Sequence, residues 1–393
     1  MPSDIYEESL EYHKKFPGKI KVVPLTPLSG PRDLALAYTP GVASSCTAIS
    51  KDPSQVWALT GKRNRAAIIS DGTRVLGLGD IGPLAALPVM EGKALLMNAL
   101  GGVDAIPLCI DEKNERQFIE TVSRLAPSFG AILLEDISSP KCFSIERALA
   151  SALPIPVFHD DQHGTAVVVL AGLLCALKLT GRDDPSGVRI VVCGAGAAGH
   201  AIASLLHAYG FSKISVLDSH GALTPARAGL DEFRAELASW TEKTEHADMD
   251  RVIAGADVFI GVSAPDILTG SHVRSMAKDP VIFALSNPYP EIKREAALAA
   301  GAAVYGSARS DWPNQVNNLL AFPGIFRGLL DSGATSVSRK MKIAAAMAIA
   351  KIAQEDGLSK DKIIPNPLDA RVHLAVAAAV ARTAEEEGLI RKK

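Results

Sequence analysis

What this sequence has least of is net charge: over 393 residues, 41 Lys and Arg stand against 43 Asp and Glu, a formal balance of −2. A chain so even projects no overall field, which excludes the basic surface of a nucleic-acid binder or an anionic-membrane binder. Any anionic ligand must be met by locally placed Arg, Lys, metal or helix ends. Cysteine is also sparse. Cys46, Cys109, Cys142, Cys175 and Cys193 are odd in number, scattered and without a C-x-x-C pair. That excludes a disulfide framework and predicts buried free thiols in a reducing compartment. Long hydrophobic runs are missing too. The longest uncharged apolar run, Thr165 to Leu177, is too short to span a bilayer and reads as a buried helix. The opening MPSDIYEESL carries acids where a secretory signal needs a basic patch and an apolar stretch, so a cytoplasmic protein is expected. There is no internal repeat, and no biased tract beyond an Ala-rich helix at Met341–Ala353.

What is present is ordinary globular material: 48% hydrophobic and 21% charged residues, long enough for about two domains with full cores. Short apolar segments recur between helical stretches, at Ala66–Ser70, Ala105–Ile110, Ala131–Leu134, Pro156–His159, Val188–Cys193, Lys213–Leu217, Val258–Gly261 and Val281–Leu285. Their apolar character on both faces is the mark of parallel strands covered on two sides, and the fold class is therefore α/β. Three units are expected: an α/β domain over 1–158, a doubly wound Rossmann-type domain over 159–320, and a helical segment over 321–393 packing back on the first domain.

The Rossmann expectation rests on one stretch. Val188–Cys193 reads as a buried strand, followed by Gly194, Ala195, Gly196, Ala197, Ala198 and Gly199, then an apolar helix ended by Gly210. Gly194 permits a tight turn, Gly196 lets a pyrophosphate approach the backbone, and Gly199 lets helix and strand pack closely. The helix start offers free N–H groups and a partial positive charge to the phosphates. A second strand then runs into Asp218, placed to accept from an adenosine-ribose hydroxyl. An acid there favours NAD over NADP, although Ser219 and His220 beside it can still accommodate a 2′-phosphate.

Two acidic pairs directly follow predicted strands, Glu135-Asp136 and Asp160-Asp161. Open parallel sheets bind ligands beyond the carboxyl ends of their strands, where these pairs would gather. Four acids with no adjacent Lys or Arg repel one another unless a positive charge sits between them, and an all-oxygen set suits Mg²⁺ or Mn²⁺. Helix capping is the alternative for Asp160 and Asp161. A zinc site built on His159 and His163 is another, weakened because the two straddle a strand-to-helix junction.

With those acids, further segments in chain order resemble the short bacterial or archaeal malic enzymes. These are Leu36–Ala43 (LAYTPGVA), Asp71–Pro83 (DGTRVLGLGDIGP), Met90–Ala94 (MEGKA), Gly101–Asp104 (GGVD), Glu135–Ile137 (EDI), His159–Ala166 (HDDQHGTA), Leu285–Pro288 (LSNP) and Arg309–Asn318 (RSDWPNQVNN). The resemblance spans nearly the whole chain. It implies an amino-terminal malic-enzyme domain ahead of the dinucleotide domain. It also implies oxidation of L-malate at C2, decarboxylation, and protonation of the enol to pyruvate, with NAD or NADP and Mg²⁺ or Mn²⁺. Position by position, Glu135, Asp136 and Asp161 resemble the metal ligands, with Asp160 close behind them. Lys93 resembles the base for the C2 hydroxyl, and Tyr38 the acid that protonates C3. Arg74 resembles the carboxylate clamp, while Asn287 and Asn318 resemble amides that orient substrate and nicotinamide. The family also implies a homodimer or higher oligomer, and leaves open whether the arm carrying Tyr38 completes its own site or a neighbour's. The alternatives are a malolactic-type enzyme or oxaloacetate decarboxylase on the same site, or a nucleotide-sensing domain without turnover.

Overall fold

The computed structural model describes residues 4–242 and 248–392. Among the described residues, ten strands form two sheets. β1 (Arg65–Ser70), β2 (Asp104–Cys109), β3 (Ala131–Leu134) and β4 (Val157–His159) make the first, in the order β2-β1-β3-β4 and parallel throughout. β5 (Arg189–Cys193), β6 (Lys213–Asp218), β7 (Gly221–Ala222), β8 (Val258–Gly261), β9 (Val281–Ala284) and β10 (Val304–Ser307) make the second. Its order is β10-β9-β8-β5-β6-β7, with only the two-residue β7 antiparallel. The chain is thus the α/β protein its strand pattern predicts. In each sheet the crossovers reverse direction beside one strand, β1 in the first and β5 in the second. At such a reversal the neighbouring loops part and leave a crevice beyond the strand ends.

Apolar packing joins the two sheets into one body. One buried cluster takes in Ile68 and Leu133 of the first sheet, Val192 and Ile260 of the second, and Phe326, Ile349 and Val376 of the carboxyl-terminal helices. At its centre runs the helix Thr165–Leu179, packed against the helices Ala197–Tyr209 and Arg339–Glu355. Alanines on the 339–355 helix let the two backbones come close, and the Cys175 thiol reaches the Ala350 carbonyl at 3.5 Å. The helix Phe322–Ser332 lies on Gly82–Gly101, where a Cβ added at Gly101 would meet the Pro323 carbonyl oxygen at 2.7 Å.

Four details depart from the sequence-based expectation. β7 and β10 are additional strands, too short and too Gly/Ala-flanked to register as apolar segments. Residues Asp160–Gly164 form a π-helical turn continuous with the next helix. Together they make a stretch, Asp160–Leu179, long and apolar enough by length and composition to cross a membrane, against the expectation from the apolar run alone. It is instead mostly buried inside the protein, as a core helix is. Finally, the cysteines are free, but Cys46 is exposed and Cys109 only half-buried, so burial among apolar neighbours holds for three of the five.

The amino-terminal helices Pro31–Ala37 and Val42–Lys51 bury no residue at all. Tyr6, Leu10, Tyr12, Leu25, Leu28, Leu36 and Tyr38 all stand exposed on this arm.

Candidate active site

The carboxyl end of β3 delivers Glu135 and Asp136, and that of β4 delivers Asp160 and Asp161. The Glu135 amide donates to the Ile69 carbonyl at 2.9 Å and so carries the ladder one residue past the strand. Asp136 then turns with φ of 53°, a left-handed conformation that few non-glycine residues adopt. Its amide donates to Asp161 Oδ2 at 2.9 Å, tying the two strand ends together. One carboxylate oxygen from each of Glu135, Asp136 and Asp161 lies within 4.8 Å of the others. Glu135 Oε2, Asp136 Oδ2 and Asp160 Oδ1 are buried without any hydrogen-bond partner. Buried polar atoms are nearly always paired, so three orphaned acceptors in one place call for a cation. Burial pushes the Glu135 carboxyl well above its usual range, and Lys93 only partly counters it. Asp136 rises to about 7 through burial and the charge of Asp161. An all-oxygen, electron-rich set of this kind fits Mg²⁺ or Mn²⁺.

The capping alternative does not describe these acids. The π-turn has no side-chain cap, Asp161 takes the Asp136 amide, and Asp160 pairs with Lys93. Nor do the two histidines converge. His159 is fully buried with both ring nitrogens unpartnered, whereas His163 Nε2 lies 2.9 Å from Glu146.

Lys93 sits on the helix Gly82–Gly101, its ammonium paired with Asp160 and 3.1 Å from Glu135 Oε1. It also lies 4.5 Å from the centre of the Phe322 ring. Burial acts to lower its pKa, but the Asp160 and Glu135 charges outweigh it and hold the ammonium above its ordinary range. The loop after β1 backs this cluster: the Arg74 amide donates to the Asp136 carbonyl at 3.0 Å, and the Arg74 side chain is exposed and free of protein partners. The same loop touches exposed Asn287, since a Cβ at Gly77 would meet the Asn287 carbonyl oxygen at 2.9 Å. Half-buried Asn318 borders the π-turn, its Cβ 3.1 Å from where a Gly164 Cβ would stand. Tyr38 is different. Its side chain is 66% exposed, and its hydroxyl has no hydrogen bond to Lys93 or to any other described residue.

The glycine loop faces the same region, because the π-turn packs directly on the helix Ala197–Tyr209. Gly194 has φ of 119°, and a Cβ there would meet the Val262 carbonyl oxygen at 2.6 Å. A Cβ at Gly199 would lie 1.7 Å from the Gly194 carbonyl oxygen, while nothing within 4 Å faces Gly196. The helix N-terminus has no side-chain cap, so its first N–H groups stay free. Asp218 ends β6, where burial tends to raise it but Arg227 at 2.8 Å and the His220 amide hold it below its usual range. Arg234 stands 3.6 Å away on the other side.

Three supporting groups escape a sequence reading. Buried Asp71 accepts from the Thr73 hydroxyl at 2.6 Å and pairs with Lys141, fixing the Arg74 loop. Phe322 covers Lys93 from some 230 residues away along the chain. Glu146 accepts from the His159 amide and the Gln162 amide, both at 3.1 Å, as well as facing His163. Asp71 stands in the sequence only as the first residue of the Asp71–Pro83 segment, and Glu146 only as an acid on the same helical face as buried Cys142, Phe143 and Leu149.

Family models match two stretches: the malic enzyme N-terminal domain over residues 17–117, and the malic enzyme NAD-binding domain over residues 162–385. The chain is 51% identical over 368 residues to the bifunctional malic/malolactic enzyme of Bacillus subtilis, covering 93% of this chain and 90% of that protein. It is 50% identical to the NAD-dependent malic enzyme of Geobacillus stearothermophilus, covering 90% and 74% of the two. The crystal structure of the NAD-dependent malic enzyme of Thermotoga maritima superposes with a TM-score of 0.91 at 44% identity, covering 95% of this chain and 98% of that one. Two full-domain matches and a shared architecture at such identity admit one assignment: this chain belongs to the malic enzyme family, as a short bacterial-type enzyme dependent on NAD or NADP.

Proposed function

We propose that the protein converts L-malate and NAD(P)⁺ to pyruvate, CO₂ and NAD(P)H, using a divalent cation held by Glu135, Asp136 and Asp161. The observation that carries this reading is the buried Lys93 ammonium, paired with Asp160 and Glu135, which with Asp136 are the three acids that have orphaned buried oxygens. When bound, the dinucleotide supplies the hydride acceptor, and the cation supplies Lewis acidity at the C2 oxygen and charge to offset the carboxylates. Burial, which pulls an ammonium down, then governs Lys93 and leaves it able to take the C2 hydroxyl proton. Asp160 holds that amine in place. Arg74 reaches from its loop to a malate carboxylate, and Asn287 and Asn318 orient substrate and nicotinamide from opposite sides. Gly194–Gly199 cradle the pyrophosphate, and Asp218 accepts from the adenosine ribose. Loss of C4 of the oxidised substrate as CO₂ leaves an enolate, which Tyr38 protonates at C3 to give pyruvate.

Tyr38 makes no hydrogen bond to Lys93 within the chain, and none of the described residues of its arm is buried. We therefore place it in the site of a second copy in a homodimer, where the exposed apolar residues of the arm would be covered. The free thiols fit a cytoplasmic protein, with a small-molecule substrate and no nucleic-acid or membrane partner.

The 51% identical Bacillus subtilis relative is named a bifunctional malic/malolactic enzyme, which favours one second reading: the pyruvate is reduced in place and leaves as lactate. Incubating the protein with L-malate, Mn²⁺ and either NAD⁺ or NADP⁺ separates the two. Pyruvate with equimolar reduced cofactor supports the first; lactate with no net cofactor reduction supports the second; neither product refutes both.

A further inference from the structure

Behind the π-turn, on the side away from the strand ends, lies a cavity of about 290 Å³ that none of the assigned roles uses. It opens where the helix Lys141–Ala152 meets the helix Ala197–Tyr209 and the start of the helix Arg339–Glu355. Three cations (Arg147, Arg339 and Lys342) line it against two carboxylates, Glu146 and Glu236. Both acids are already engaged: Glu146 by His163 and the π-turn, and Glu236 by Arg147 at 2.6 Å.

Arg147 is paired with Glu232 and Glu236, but three other donors of the lining are not engaged. His200 is 8% exposed, and its Nε2 is buried in the lining with no partner. Half-buried Lys342 forms no ion pair or hydrogen bond with any described residue, nor does the Arg339 guanidinium. Burial pulls the Lys342 ammonium down to about 8 even against the charge of Glu146, a cost that a further anion beside it would relieve. Unsatisfied donors, two cations without an ion-pair partner among the described residues and a volume near the lower end for small-molecule sites coincide here.

We propose that this cavity binds a small oxyanion, a phosphate- or carboxylate-bearing metabolite, gripped by Lys342 and Arg339 with His200 donating from the wall. Such a ligand braces the 141–152 helix against two helices of the other sheet's layer. Gln162 and His163 form part of the wall and flank Asp161, so occupancy is transmitted to the acid cluster. That regulatory half rests on the activity proposed above; binding itself does not.

Isothermal titration with inorganic phosphate and, separately, succinate tests this on full-length protein saturated with NAD⁺ and Mg²⁺. The two probes distinguish a phosphate source from a carboxylate one. Saturable binding of either probe, weakened at least tenfold in Lys342→Met and in Arg339→Ser, is expected. Arg339 is exposed, so its variant keeps the test valid should Lys342→Met fold poorly. The bound probe should also shift the KM for malate in the wild type and not in Arg339→Ser. No binding of either probe, or binding unchanged in both variants, overturns the site. A KM shift that survives in Arg339→Ser overturns the coupling and leaves the probe acting as a competitor of malate.

Discussion

Replacing Lys93 by Ala separates a proton-transfer role from a structural one, because the two act on different observables. Its ammonium is paired with Asp160 and lies 3.1 Å from Glu135 Oε1, and both acids are buried. Removing one partner of a buried ion pair costs about 3–5 kcal/mol, since the remaining charge is stranded. Glu135 and Asp160 already sit above their usual range through burial, so they respond by taking up protons, which places the loss at the low end. In metal-free protein this appears as a fall in Tm. Mn²⁺ supplies replacement positive charge and should recover most of it. Turnover should not recover: loss of a general base lowers kcat by about 10²–10⁴-fold, equivalent to about 2.7–5.4 kcal/mol of transition-state stabilisation. The variant leaves a void beside Phe322, so methylamine should restore part of kcat in a concentration-dependent way. Melting curves with and without Mn²⁺, paired with malate oxidation rates with and without methylamine, read all of this. Near-normal malate oxidation by the Mn²⁺-loaded variant would refute the assignment of Lys93 as the base.

Stability of the metal-free protein should fall as pH rises from about 4 to about 7, because Asp136 is pushed up to about 7 and the native state then binds more protons than the unfolded one. The gain in Tm on adding Mn²⁺ should therefore be larger at the alkaline end of that window; equal gains at both ends would count against buried acids as the ligands. Gly199→Ala puts a methyl 1.7 Å from the Gly194 carbonyl oxygen, so the glycine loop must shift, and the KM for NAD(P)⁺ should rise at least tenfold with circular dichroism unchanged. An unaltered KM would mean that the loop is not the pyrophosphate cradle. Tyr38→Phe and Lys93→Ala proteins, each impaired alone, should regain activity up to about a quarter of wild type when mixed and allowed to exchange subunits, because one hybrid site keeps both groups. No gain from verified hybrids would put Tyr38 in its own subunit's site.

The glycine loop, the two acidic pairs and the alternation of short strands with helices are all local, so they could be read from spacing. Strand ends deliver their residues in sequence order, and Glu135, Asp136, Asp160 and Asp161 needed only the sheet order to meet. What brings Lys93 between two of those acids is helix-on-sheet packing across 67 residues, which no spacing encodes. Its identification in the sequence came from resemblance, and on residue chemistry alone it reads as a snorkelling surface lysine. Glu146 and Phe322 were missed for the same reason, being tertiary partners of the site with no motif of their own. Cys46 is not a buried thiol because its helix packs only on its short neighbours and buries none of its residues. The π-turn at Asp160–Gly164 is a local deviation from helical hydrogen bonding in HDDQHG, and it aims Asp160 at Lys93 while Asp161 faces Asp136.

In the proposed function, oxidation and decarboxylation share one site built on a divalent cation and Lys93. Its most direct test follows reduced cofactor by absorbance and pyruvate by product analysis, with L-malate and NAD⁺ or NADP⁺, before and after removal of divalent metal. Equimolar pyruvate and reduced cofactor with Mn²⁺, both abolished by chelation and restored by Mn²⁺ or Mg²⁺, is the predicted result. Cofactor reduction that persists in metal-free protein, or reduction without pyruvate, would contradict the account.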